Sequence, residues 1–174
     1  MRFAVLLPLA ALLFGGCAGY HIGPIKPKFM AGVQTIAIPT FRNDTLEPRV
    51  EADLATACIN QFQQDGTYQI ADEKDADVIL QGTLNSIQRH PARSVIGNIL
   101  QTQEFTLTIQ GRFILKKRST GQVLDTRTVV GTSSFYVTGS STPAADVNQD
   151  ERQALPLAAQ DMAVQLVSQY SEGW

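Results

Sequence analysis

Cys17 is the residue whose type and position most directly imply a chemistry. It follows one basic residue, Arg2, an apolar run over Phe3–Phe14, and the small pair Gly15–Gly16. This order is typical of a bacterial lipoprotein signal, in which the thiol after the small residues is acylated and the preceding segment is removed. The alternative is an ordinary secretory signal with an incidental cysteine.

Acylation of Cys17 would determine the cellular location of the rest of the chain. We expect residues 1–16 to be removed and residues 17–32, which are rich in Gly and Pro, to form an acylated N-terminus and extended tether. Each buried methylene contributes about 0.8 kcal/mol, so three acyl chains would hold the protein in a membrane permanently. Ala18 stands where an Asp favours inner-membrane retention in enteric bacteria. The sequence thus predicts a lipid-anchored protein at the periplasmic face of the outer membrane.

Four cations are the candidates for binding an anionic group. Arg89 and Arg93 stand at the start of a predicted long loop, and Lys116 and Lys117 stand at a predicted hairpin. Arginine offers bidentate contacts to phosphate, and lysine offers a mobile positive charge. Basic residues at hairpin tips also serve solubility and discourage edge pairing, and that alternative stays open. Consecutive turns of a meander lie at opposite ends of a sheet, so we expect the two pairs not to form one patch.

The sequence offers little for catalysis, metal binding or nucleic-acid binding. Its two histidines, His21 and His90, suggest no triad, and the acidic run over residues 72–77 lacks the spacing and the glycine of a calcium loop. A net charge of −2 gives no general attraction to nucleic acid. Cys58 lies among the apolar positions of a predicted helix, which favours a buried hydrophobic role. We expect a binding or structural protein with no cofactor and no metal, rather than an enzyme.

The pattern of apolar residues predicts one α+β domain over residues 33–174. Period-two alternation predicts strands near residues 33–38, 78–85, 105–115 and 123–137, and helical periodicity predicts helices over 47–64 and near the C-terminus. The order β-α-β-β-β-α gives a single sheet of about four strands, mixed or antiparallel, with two helices packed on one face. The other face must be solvated or covered by a partner. On the third strand that face carries Thr106, Thr108, Gln110 and Arg112.

Several segments together resemble one known family. They comprise the residues at the acylation site, the first strand with the turn that follows it, the second strand, a hairpin, and the end of the last strand. Their sequences are Cys17-Ala18-Gly19-Tyr20-His21, Ile36-Ala37-Ile38-Pro39-Thr40-Phe41-Arg42-Asn43-Asp44-Thr45, Glu47-Pro48, Ala76-Asp77-Val78-Ile79-Leu80-Gln81-Gly82, Ser119-Thr120-Gly121-Gln122-Val123-Leu124 and Phe135-Tyr136-Val137-Thr138-Gly139. With the long loop inside the meander, they resemble the LptE-like lipopolysaccharide-assembly lipoproteins. Curli-secretion and penicillin-binding-protein activator lipoproteins share several of these features.

This resemblance implies a function for both candidate sites. A member of the family would plug a large outer-membrane β-barrel, an LptD-like protein, and help deliver lipopolysaccharide to the outer leaflet. Thr106, Thr108, Gln110 and Arg112 would contact the barrel. Arg89 and Arg93, with Lys116 and Lys117 as weaker candidates, would bind lipid phosphates. The alternative is a periplasm-facing regulator or secretion-complex lipoprotein that contacts a cell-wall synthase or forms a homo-oligomer.

Overall fold

A computed structural model describes residues 26–93, 103–137 and 145–172, and within them the chain forms one mixed sheet and two α-helices. A short 3-10 helix over Lys28–Met30 precedes these elements. In chain order, the elements are β1 (Thr35–Ala37), β2 (Arg42–Asn43), α1 (Val50–Asp65), β3 (Gln69–Ile70), β4 (Val78–Arg93), β5 (Gln103–Lys117), β6 (Val123–Val137) and α2 (Ala145–Ser171).

The sheet has the strand order β3-β1-β4-β5-β6, and β2 pairs with β4 beyond the end of β1. The short strands pair in parallel, whereas β4, β5 and β6 form an antiparallel meander. The predicted fold class and the two helices are confirmed. The strand number was wrong, because there are six strands rather than about four. Of the two additional strands, β3 lies within residues 67–70, where the sequence indicates a short extended piece. Strand β2 lies in a segment expected to be a polar turn, and at two residues it is too short for an alternating pattern to show.

Strand β4 is longer than its sequence pattern predicts. Leu84 pairs with Gly111 and Ser86 pairs with Gln110, so Asn85 is the extra residue of a bulge. The bulge shifts the alternation by one residue, and Arg89 therefore lies in register with Leu107 on the helix-covered face. The expectation that a loop begins at Arg89 was wrong. The strand continues to Arg93.

The core lies between the sheet and the two helices. Helix α2 packs against β6, where a Cβ on Gly131 would lie 2.2 Å from the carbonyl oxygen of Ala158. Pro156 lies well inside this helix. The predicted apolar face of this helix is confirmed, because all its members are buried: Leu155, Ala158, Met162, Leu166, Val167 and Tyr170.

The segment before β1 adds to this core. Met30, in the range predicted as tether, is fully buried, and the ring of Phe29 packs edge-on against Tyr170. Arg127 of β6 lies over both aromatic rings, 5.5 Å from the Phe29 centroid and 5.2 Å from the Tyr170 centroid.

In the described residues, no helix is long and apolar enough to cross a membrane.

Candidate functional site

The side of the meander that faces away from the helices is open to solvent. Thr106, Thr108, Gln110 and Arg112 lie on it at every second position of β5, as the alternation predicts. The two threonines are half-buried, and Gln110 and Arg112 are exposed. The structure therefore brings these four predicted barrel-contact residues onto one face.

Neighbouring strands extend this surface with side chains that are polar except for Val130. Each of these four β5 residues lies between one residue of β4 and one of β6. In the order β4, β5 and β6, the four rows are His90, Thr106 and Ser134; Gln88, Thr108 and Thr132; Ser86, Gln110 and Val130; and Thr83, Arg112 and Thr128. Hydroxyl and amide groups both donate and accept hydrogen bonds, so such a face suits another polar surface. The side chain of Arg112 makes no ion pair within the described part of the chain.

Arg89 has a structural role on the opposite face. Its guanidinium donates to the carboxylate of Glu151 on α2, and its Nη2 lies 2.6 Å from Oε1 of Glu47. Glu151 is buried, with 7% of its surface exposed. The hydrogen bond to Glu151 is the main cause of the raised pKa of Arg89. A lipid phosphate would have to compete with two carboxylates for this side chain.

The other three predicted cations lie in two separate places. Arg93 ends β4 opposite Glu104, and its side chain lies outside the described residues. Lys116 and Lys117 end β5 opposite Ile79 and Val78. Ten residues of β5 separate Lys117 from the partner of Arg89, which corresponds to about 33 Å along the strand. The structure thus keeps the two basic clusters at opposite ends of the sheet, as the meander topology predicts.

Two arginines that the sequence reasoning missed lie near Arg89. Arg49 and Arg152 border a concavity of about 540 Å³ that Glu47 and Leu155 also line. Both arginines are exposed, and neither side chain makes an ion pair within the described residues. They belong to segments that are far apart in sequence and carry no shared pattern. Only the packing of α1 against α2 brings them together.

The acidic run contains a structural carboxylate rather than a metal ligand. Asp77 accepts hydrogen bonds from the backbone amides of Gln34 at 2.9 Å and Thr35 at 3.0 Å. These bonds, with a smaller contribution from the charge of Arg118, lower the pKa of Asp77. Across residues 26–93, 103–137 and 145–172, no group of His, Cys, Asp and Glu side chains is arranged to hold a metal ion.

Cys58 is fully buried in the core, as its position in the predicted helix suggests. Burial raises the pKa of its thiol to about 12. Since the thiolate is the reactive form, this cysteine is inert in the folded protein. The predicted role as a small buried hydrophobe is confirmed.

These features define a two-layer α+β domain with helices on one sheet face and an open polar face on the other. The lipopolysaccharide-assembly family model, LptE, matches residues 33–170. The chain therefore belongs to the LptE family of lipopolysaccharide-assembly lipoproteins. No curated protein sequence matches the chain.

Solved structures show the same fold at low sequence identity. A minor lipoprotein from Acinetobacter baumannii is 19% identical, with coverage of 80% of this chain and 91% of that one and a TM-score of 0.51. A protein from Xanthomonas campestris is 15% identical, with coverage of 87% of each chain and a TM-score of 0.52. A hypothetical protein from Chlamydia trachomatis is 6% identical, with coverage of 78% and 94% and a TM-score of 0.51. At these identities, the likeness extends to the fold alone.

Proposed function

We propose that this protein is an outer-membrane lipoprotein that binds a β-barrel translocon as a plug and assists lipopolysaccharide transport and assembly. Membership of the LptE family over residues 33–170 is the observation that carries the proposal. The open face of the meander supports it, because such a polar face can bind a partner of matching polarity. In this function the protein is a binding and assembly factor and performs no catalysis.

The composition of the sheet face fits the interior of a barrel. The lumen of a transmembrane β-barrel is lined by polar side chains, unlike its lipid-facing surface. The face around Thr108 and Gln110 presents hydroxyl and amide groups together with the exposed guanidinium of Arg112. Such groups form the direct and water-mediated hydrogen bonds that are typical of a polar protein interface.

The lipid anchor would hold this face close to the membrane. Cys17 precedes Lys26, the first described residue, by nine residues, so the chain between them reaches at most about 30 Å. An acylated Cys17 would therefore confine the domain to the periplasmic surface of the membrane. A barrel partner in the same membrane would be within reach.

For the lipid phosphates, we propose contacts with Arg93, Lys116 and Lys117, and with Arg89 if its carboxylate partners are displaced. Arg49 and Arg152 are further candidates because their guanidinium groups are exposed. The test is binding of purified lipopolysaccharide to Arg93→Glu and to Lys116→Glu/Lys117→Glu, with Lys28→Glu as a control for exposed charge. Unchanged binding in both variants would refute these lipid contacts.

The experiment that tests the barrel contact is co-purification. The acylated protein would be extracted from its native membrane in mild detergent, and stoichiometric partners would be identified. We expect a single large β-barrel protein in a one-to-one complex. A cell-wall synthase, or only further copies of the chain, would instead support the alternative of a regulator or secretion-complex component.

Variants of the open face make this test specific. Thr108→Lys with Gln110→Lys places two charges on the sheet face, and we expect it to reduce the recovered barrel at least tenfold. Gln63→Lys with Gln64→Lys places the same charges on exposed positions of α1 and serves as the matched control. Equal loss of the barrel in both double variants would refute a sheet-face contact.

A further inference from the structure

The described chain begins at a fixed place on the domain, because its first residues make specific contacts. Nζ of Lys26 donates to the carbonyl oxygen of Val33 at 2.8 Å and lies 4.6 Å from the centre of the Tyr68 ring. Met30, which lies between Lys26 and Val33 in sequence, is fully buried. The connection to Cys17 therefore starts from a defined place on the domain and spans nine residues.

This place lies beside the hairpin that joins β5 to β6. Val33 precedes Gln34, whose amide donates to the carboxylate of Asp77 at 2.9 Å. The amide of Arg118, the first residue after β5, donates to the backbone carbonyl oxygen of Asp77 at 3.0 Å. Lys26 thus lies at the same end of the sheet as the hairpin, and the connection to the anchor leaves the domain there.

The hairpin is basic and has one exposed apolar residue. Lys116, Lys117 and Arg118 follow one another, and the segment 112–124 contains no Asp or Glu. Lys117 and Arg118 are exposed, and Lys116 is half-buried. Val123, which pairs with Lys116 across the hairpin, is 50% exposed. Cations beside an apolar side chain suit the surface of an anionic membrane, where the cations bind headgroups and the apolar group contacts the acyl boundary.

The two lysines are available to an external anion. Neither Lys116 nor Lys117 makes an ion pair within the described part of the chain. Two carboxylates that adjoin the hairpin are bound within the fold. Asp77 accepts two backbone amides, and Asp125 lies 2.5 Å from Nε of Arg127. These carboxylates therefore do not hold the lysines.

From these features we infer that the β5–β6 hairpin binds anionic phospholipid headgroups of the leaflet that holds the acyl chains. A connection of nine residues reaches at most about 30 Å, so it keeps this end of the domain near the leaflet. The opposite end of β5 lies about 46 Å from Lys117 and need not approach the leaflet. Each lysine near an anionic surface strengthens the attraction about fivefold. The contact rests on the proposed acylation of Cys17, but not on a barrel partner.

The hairpin contact uses a different surface from the proposed barrel contact. Thr108 and Gln110 lie nine and seven residues from Lys117, which corresponds to about 30 and 23 Å along β5. Lys116 and Lys117 are also proposed to contact lipopolysaccharide phosphates. A test in membranes that contain no lipopolysaccharide separates the two sources of phosphate.

The test places the full acylated chain in vesicles of phosphatidylcholine and phosphatidylglycerol. A fluorophore on Ser119→Cys reports from the hairpin, and one on Gln88→Cys reports from an exposed site that pairs with Thr108. Cys58 is buried and should stay unlabelled. Acceptor dyes on the lipid headgroups measure the proximity of each fluorophore to the membrane by energy transfer. We expect transfer from Ser119→Cys to be at least twofold more efficient than transfer from Gln88→Cys.

Charge variants separate headgroup binding from proximity to the anchor. Transfer from Ser119→Cys should fall in vesicles of phosphatidylcholine alone and at high salt, which screens exposed charges. Lys116→Glu/Lys117→Glu should lower it in the anionic vesicles as well. Arg49→Glu/Arg152→Glu also reverses two charges, beside the helices, and should leave it unchanged. Matching midpoints of urea denaturation would establish that both double variants are folded.

Three results would overturn the inference: equal transfer from the two labelled sites in anionic vesicles, unchanged transfer from Ser119→Cys in uncharged vesicles, or an equal fall in both double variants. Flotation of the wild-type chain with the vesicles at high salt reports the acyl anchor separately. A chain that does not float would refute the acylation of Cys17 and, with it, the hairpin contact. Lipopolysaccharide binding and recovery of the barrel are further separate readouts, so failure of each proposal is recognised independently.

Discussion

Arg89 on β4 donates to Glu151 on α2, and this contact joins the sheet to the helix that covers it. The same guanidinium binds Glu47, in the segment that leads into α1. One side chain thus connects three parts of the chain that lie 42 and 62 residues apart in sequence. Since the carboxylate of Glu151 is buried, its charge depends on Arg89 for compensation.

Replacement of Arg89 by alanine should destabilise the fold. The variant leaves the buried Glu151 carboxylate without its partner, and loss of one member of a buried pair costs roughly 3–5 kcal/mol. Arg89 is itself 41% exposed, so solvent screens part of this effect. We expect about 2 kcal/mol lower free energy of unfolding, measured by urea denaturation. Glu151→Gln in the same background should restore part of the loss.

The exposed ion pair of Arg42 and Asp44 provides the control for this measurement. Their side chains are exposed by 76% and 40%, and exposed pairs contribute about 0–1 kcal/mol. Arg42→Ala should therefore change the free energy of unfolding far less than Arg89→Ala. If the two variants lost the same stability, the role assigned to the Arg89 and Glu151 contact would be wrong.

The long meander strands and both helices were predictable because each buries one regular face. Leu107, Ile109 and Phe113 alternate with polar residues along β5, and Ala158, Met162 and Leu166 recur at helical spacing along α2. The polar face of β5 followed from the same alternation. Thr106, Thr108, Gln110 and Arg112 could therefore be placed together without a structure.

The surroundings of Arg89 could not be predicted in this way. The bulge at Asn85 breaks the period-two pattern, so nothing in the sequence placed Arg89 on the helix side. Its partners Glu47 and Glu151 lie in distant segments, and only packing brings them together. Arg49 and Arg152 escaped notice for the same reason. Ion pairs between distant segments leave no local pattern in one sequence.

Asp77 makes the stability of the fold depend on pH. Its pKa is lowered by the amides of Gln34 and Thr35, which favour the charged carboxylate. A carboxyl whose pKa is lower in the folded state stabilises the fold above its unfolded pKa, about 3.9. That contribution is lost as the pH falls through the folded value. Asp77 is exposed, so solvent screens this contribution. We expect Asp77→Asn to lower the free energy of unfolding slightly at pH 7 and progressively less below pH about 4.

The control for this pH dependence lies on the same turn. Glu73 is exposed, so Glu73→Gln should leave the urea midpoint nearly unchanged. The difference between wild type and Asp77→Asn would be measured at pH 7 and near pH 3. If the stability difference between wild type and Asp77→Asn were the same at both pH values, the two amides would not be stabilising the charged form of Asp77.

Gly131 allows α2 to approach β6 closely. An added Cβ would lie 2.2 Å from the Ala158 carbonyl oxygen and 2.6 Å from Cβ of Met162. Because a backbone atom forms this contact, the helix itself would have to move. Gly131→Ala should therefore destabilise the protein by about 1–3 kcal/mol in urea denaturation. Ser134→Ala, on the exposed side of the same strand, should change the stability by less than about 0.5 kcal/mol.

The two cysteines should differ completely in their accessibility to thiol reagents. Cys58 is fully buried and its thiol has a pKa of about 12, so it should react with an aromatic disulfide reagent only as the protein unfolds. If Cys17 is acylated as proposed, the native mature protein should show no fast-reacting thiol, and one thiol should appear in urea. Cys58→Ala should remove that thiol. A fast-reacting thiol that persists in Cys58→Ala would belong to Cys17 and would refute its acylation. A fast-reacting thiol that disappears in Cys58→Ala would belong to Cys58 and would contradict its burial.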